Sequence, residues 1–119
     1  MPAKDGLKER LVRYRQITIS VTGRKSGKSV SIPVWFVLEG DKLYLLPVNG
    51  SDTQWFKNVL KNPRIQIAAR DEQGEFRAKP LTDTKAVAAV VEKFRAKYGA
   101  SDVKKYYSKF DVAVAAEVG

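Results

Sequence analysis

Apolar and polar residues alternate from Gln16 to Val21, with Ile17, Ile19 and Val21 on one side and Thr18 and Ser20 on the other. A period of two is the mark of a half-buried strand. Val30 to Leu38 reads differently, because Ile32, Val34, Phe36 and Leu38 share one face while Pro33, Trp35 and Val37 occupy the other. Apolar residues on both faces imply that neither side is freely solvated. Pro33 cannot donate to a ladder and so marks an edge or a bulge. Trp35 is large for the outside of a small sheet, and either a partner subunit or a ring-shaped ligand would cover it. Gly40-Asp41 suits a two-residue hairpin turn into a third strand, Leu43 to Leu46.

The pattern then changes period. Thr53 to Leu60 places Trp55, Phe56, Val59 and Leu60 on one helical stripe, with Ser51 or Asp52 as its cap and Asn62-Pro63 as its stop. Alternation resumes over Arg64 to Ala68, turns through Asp71 to Gly74, and returns over Glu75 to Leu81. Thr82 or Asp83 caps the longest helix, with Val87, Val90, Val91, Phe94 and Tyr98 inward and Gly99 closing it. Ser101-Asp102 opens a further helical turn through Tyr107, and Phe110 to Val118 forms a last strand. At the other end, Leu7, Leu11 and Tyr14 lie at helical spacing among basic residues, predicting a first helix over Ala3 to Tyr14. The order α-β-β-β-α-β-β-α-β predicts an α+β fold in one domain, residues 1–119, whose antiparallel sheet curls into a small barrel with helices at its edge.

Composition narrows the chemistry. The chain has no Cys and no His, which removes disulfides, thiolate metal sites and Ser-His-Asp catalysis, so no metal site is expected. No apolar run approaches the ~20 residues that cross a bilayer, and the N-terminal residues lack the core of a signal peptide, so a cytoplasmic protein is expected. A formal charge of +9 favours an anionic partner. The cations are spread along the chain without a nucleic-acid-binding motif, so a basic nucleic-acid or membrane-surface binder rests on charge alone, and no nucleic acid is expected.

One stretch concentrates that charge. Thr22-Gly23-Arg24-Lys25-Ser26-Gly27-Lys28-Ser29 joins the first two strands with two glycines and three cations. Glycine tolerates positive φ, so such a bend can turn amide N–H groups inward around an anion while Arg24, Lys25 and Lys28 supply charge. Only three residues separate its glycines and a strand follows, so it is not a nucleotide-hydrolysing P-loop. A soluble, purely connecting turn is the other reading of the same residues.

The basic bend, the Pro33-Val34-Trp35 strand and Trp55-Phe56-Lys57-Asn58-Val59-Leu60-Lys61-Asn62-Pro63 together resemble the split β-barrel flavin and deazaflavin proteins. Within these, they are most similar to the deazaflavin-dependent nitroreductase and quinone reductase family. The resemblance covers roughly residues 17–67. It implies a six-stranded antiparallel split barrel flanked by helices, binding coenzyme F-420 or, alternatively, FMN. It implies that Arg24, Lys25, Ser26 and Lys28 hold the cofactor's phosphate or acidic tail. Pro33, Val34 and Trp35 would line the ring, with Val48, Asn49, Gly50 and Trp55 closing the other side. Tyr106 and Tyr107 fall where relatives keep a tyrosine segment near the substrate. Here Pro47-Val48-Asn49-Gly50 replaces the Ser-Lys-Gly-Gly type of loop, and Phe94 to Gly99 resembles another branch of the same superfamily, so the cofactor stays open. The expectation is an oxidoreductase passing a hydride to a small conjugated acceptor, a quinone or nitroaromatic, and pairing as a homodimer. A non-catalytic carrier of the same cofactor is the alternative.

Overall fold

The computed structural model describes residues 16–69 and 72–118. The helix expected over Ala3 to Tyr14 lies outside them. Six strands follow the expected order: β1 (Gln16–Thr22), β2 (Ser29–Glu39), β3 (Lys42–Leu45), β4 (Arg64–Ala69), β5 (Glu72–Leu81) and β6 (Ala113–Glu117). They close into an antiparallel barrel in the order β1-β2-β3-β6-β5-β4. Closure rests on the two longest strands. The first half of β2 pairs with β1 and its second half with β3, the changeover falling between Gln16↔Trp35 and Phe36↔Leu45. In the same way β5 pairs first with β4 and then with β6. Pro33 lies in the part of β2 that is registered with β1 alone, consistent with an edge position.

Among the described residues, three α-helices accompany the barrel: α1 (Gln54–Lys61), α2 (Thr84–Tyr98) and α3 (Ala100–Tyr106). The two-faced pattern of β2 has a direct cause. Ile17, Ile19, Phe36, Leu43, Ile65, Ile67 and Val114 fill the barrel, and Trp55, Phe56 and Val59 of α1 belong to the same core. Val37, on the opposite face, joins a second core with Val87, Val90, Val91, Phe94 and Tyr98 of α2 and Val103 of α3. Over the second half of β2, Phe36 and Val37 are buried on opposite faces. Trp35 stacks on Tyr98 with ring centroids 4.2 Å apart and planes 9° apart. The chain's own helix therefore covers one face of an indole for which the sequence suggested a subunit or a ligand.

At the changeover the Tyr98 hydroxyl accepts from the Phe36 N–H at 3.0 Å and donates to the Phe36 carbonyl at 2.8 Å. Lys97 Nζ donates to the same carbonyl at 2.8 Å and lies 3.7 Å from the Phe36 ring centroid. Backbone groups buried at this point thus find partners on α2, as buried polar groups must.

Four expectations are corrected. Leu60 is 57% exposed rather than on the α1 stripe, and the buried fourth position is Asn58. Asn58 can be buried because its carbonyl oxygen accepts from the Arg24 N–H at 3.1 Å and from Arg24 Nη1 at 2.8 Å. Ser51 and Asp52 do not cap α1. They form a 3-10 turn, Gly50–Asp52, and Thr53 takes the cap position. Glu72 to Gly74, expected to turn, already belong to β5, with Glu72 registered opposite Ala69. The last strand is shorter, Ala113–Glu117, because Phe110 to Val112 approach the sheet without pairing to it.

Tyr98→Phe keeps the stacked ring but strips Phe36 of its bridging hydroxyl. We expect a loss of about 1–3 kcal/mol, the cost of leaving a buried backbone group unpaired. Urea denaturation with an unchanged m-value checks it.

Candidate functional site

The exposed half of β2 forms the floor of an open hollow of about 430 Å³. Pro33, Val34 and Trp35 lie along it, and Val48, Trp55, Tyr106 and Tyr107 also line it, each of them expected from the sequence. Four further lining residues were missed: Gln16, Ile32, Leu46 and Thr53. Gln16 enters through its register opposite Trp35, which pattern reading does not supply. Ile32 shares the alternating face of Val34, and this was the available signal. Small-molecule sites are typically ~300–1,000 Å³, apolar and aromatic with a few polar groups. The hollow fits that description.

Its aromatic side is a connected stack. Tyr106 meets Trp35 edge-on at 5.4 Å and 74°, and Tyr107 lies 6.0 Å from the same indole. Tyr106 is 53% exposed and Tyr107 only 6%. Burial pushes the Tyr107 phenol well above its ordinary pKa, and the nearby Tyr98 phenol adds to the rise. At neutral pH it is therefore protonated and can donate. Its hydroxyl has no hydrogen-bond partner among the described residues, yet it is not sealed off from open space. A buried ring carrying an uncommitted O–H at the edge of a hollow is a donor waiting for an acceptor.

Two segments forming one wall are stitched together. The Ser108 N–H donates to the Val48 carbonyl at 2.9 Å, and Ser108 Oγ lies 2.6 Å from Asn49 Oδ1. Ser51 donates to Asp111 through its N–H at 2.9 Å and through Oγ at 2.5 Å. Lys109 Nζ reaches Asp52 at 3.1 Å and Asp111 at 3.7 Å. Gly50, with φ 56°, packs beneath this clasp, where a Cβ would overlap the Asp111 carboxylate. Asn49 and Gly50 thus belong to the clasp, and neither lines the hollow.

The basic bend is also outside the lining. Its amides are largely committed: the Gly23 N–H donates to the Lys28 carbonyl at 2.8 Å, Gly27 to Gly23 at 2.9 Å, and Lys28 to Ser26 Oγ at 3.2 Å. The inward cradle of N–H groups expected from the glycines is replaced by these internal bonds. Arg24 is committed too, its guanidinium reaching Gln54 Oε1 at 2.8 Å as well as Asn58. It docks the bend onto α1, whose Trp55 lines the hollow. Lys25, Ser26 and Lys28 remain exposed.

A closed six-stranded antiparallel barrel split at two long strands is the split-barrel fold, and solved structures of other proteins share it with this chain. Residues 9–116 match the family described as "Uncharacterized protein conserved in bacteria (DUF2255)", and the chain belongs to it. An F-420-H2 dependent reductase, FDR-A, is similar over 87% of this chain and 94% of its own, with 20% identity and a TM-score of 0.67. A domain-swapped dimer matches over 98% and 100% at 18% identity, TM-score 0.69. The heme storage protein HutZ from Vibrio cholerae matches over 100% and 92% at 12% identity, TM-score 0.71. Among the described residues no group of acidic side chains could hold a metal ion. No helix among them is long and apolar enough to cross a membrane.

The clasp yields a pH prediction. Hydrogen bonds from Ser51, with Lys109 nearby, hold the Asp111 carboxyl below its ordinary value of 3.8, against a smaller opposing desolvation. A depressed folded pKa stabilises above the unfolded value and loses its effect as pH falls through the folded one. The stability difference between wild type and Asp111→Asn should therefore be flat from pH 5 to 8 and shrink below about pH 4. Thermal melts across that range check it; a difference constant down to pH 2 counts against the clasp.

Proposed function

We propose that this protein is an oxidoreductase that transfers a hydride to a small conjugated acceptor, a quinone or nitroaromatic, using coenzyme F-420 or alternatively FMN. The observation that carries this reading is the hollow itself. Two indoles and two phenols surround a space of ligand size, and the one deeply buried phenol, Tyr107, offers an uncommitted O–H. The fold shared with FDR-A supports it.

In this reading Pro33, Val34 and Trp35 bear one side of the ring system and Val48 and Trp55 the other. Asn49 and Gly50 act by fixing the wall. Lys25, Ser26 and Lys28 hold the phosphate or acidic tail, with charge-assisted bonds that suit Lys as a point charge. Arg24 positions the bend against α1 instead of reaching for the anion. The bound cofactor, when reduced, supplies the hydride. Tyr107 donates to the substrate oxygen on which charge develops, and Tyr106 covers the open side. Neither role needs His, which the chain lacks. A homodimer accords with the swapped relative and is read by sedimentation.

Titration of the purified chain with F-420 and with FMN, followed by fluorescence, tests the reading. Neither binding would remove it, and binding without turnover of reduced cofactor would leave the carrier alternative. Lys25→Gln with Lys28→Gln should weaken cofactor binding by about 2–4 kcal/mol, from ~1.5–3 kcal/mol per charged hydrogen bond with incomplete additivity. Tyr107→Phe should lower kcat by about 10²-fold at unchanged cofactor Kd, the usual cost of one donor at a developing charge.

A further inference from the structure

Away from the residues that line the Trp35 hollow, α2 faces β3, β5 and β6. The residues facing each other there include Ala86 and Ala89 on the helix and Ala115 on β6, too small to close the gap, while Val87, Val91 and Phe94 seal the helix elsewhere. What remains is an open groove of about 510 Å³, larger than the hollow beside Trp35. Its floor is apolar, from Leu81, Val90 and the alanines.

Its rim is cationic. Lys42, Arg77, Lys79 and Lys93 all line it, against a single carboxylate, Glu117, which lies opposite Lys42 in the strand register. Lys93 is already neutralised by Glu39 at 2.6 Å. Lys42, Arg77 and Lys79 have no hydrogen-bond or ion-pair partner among the described residues. Three unpaired cations against one acid leave an excess of two positive charges around one hollow. Like charges so placed repel, and the repulsion is relieved by an anion seated among them.

We propose that this groove is a separate ligand site for an organic phosphate, its apolar body resting on Ala89 and Ala115 and its dianion held by Lys42, Arg77 and Lys79. Arg supplies a planar fork and the lysines point charges, the combination that suits a phosphoryl group. The inference rests on the groove alone and not on the reading of the Trp35 hollow.

Calorimetric titration of the full chain with phenyl phosphate at low salt tests it, with inorganic phosphate alongside. Phenyl phosphate should bind, and bind tighter than inorganic phosphate. Lys42→Gln/Arg77→Gln/Lys79→Gln should weaken it at least about tenfold. Ala89→Leu, on an exposed helix surface, fills the groove without touching charge and should weaken it as well. Both tryptophans line the other hollow and neither lines the groove, so their emission should stay constant through the titration. No heat with wild type, equal affinity in both variants, equal affinity for inorganic phosphate, or quenching that tracks binding would each overturn the proposal.

Discussion

A single hydroxyl sits where the barrel splits. Strand β2 must leave β1 and take up β3 between Trp35 and Phe36, and the backbone there needs partners that no third strand provides. Tyr98 supplies both a donor and an acceptor to Phe36, and its ring lies flat against Trp35. One side chain therefore fixes the backbone at the split and the orientation of the indole that borders the hollow. The helix that carries it is held by its own apolar stripe, with Phe94 fully buried one turn earlier. Fold and site share this anchor.

The two faces of β2 divide the work of the molecule. The inward face belongs to a core that α1 closes, and the outward face to a core built with α2 and α3. Where those helices stop, the strand is left open, and the hollow lies there. Its polar character is sparse because most polar groups nearby are already engaged, Arg24 with Asn58 and Gln54, Ser51 with Asp111, Ser108 with Val48. Tyr107 stands apart in being buried and yet uncommitted.

Strands and the long helix were legible because their periods are strong: Ile17, Ile19 and Val21 alternate, and Val87, Val90, Val91, Phe94 and Tyr98 form one helical stripe. What pattern reading misplaced depends on contacts distant in sequence. Leu60, being apolar, reads as inward, whereas Asn58 takes that place through Arg24, thirty-four residues away. Ser51 reads as a cap, but its hydroxyl answers to Asp111, sixty residues on. Seven residues that the resemblance singled out line one hollow. Gln16 was missed because strand register is a property of pairs, and no single segment encodes it.

The seven-residue span from Ser29 to Trp35 is continuous strand, registered along its length with β1. At ~3.3 Å per step it acts as a ruler on the order of 20 Å between the cationic bend and the indole. Loops can stretch, but a paired strand changes length only in whole residues. Any molecule that touched both ends would be selected by reach as well as by chemistry, and a one-residue insertion in that span would reverse the facing of Trp35 while resetting the scale.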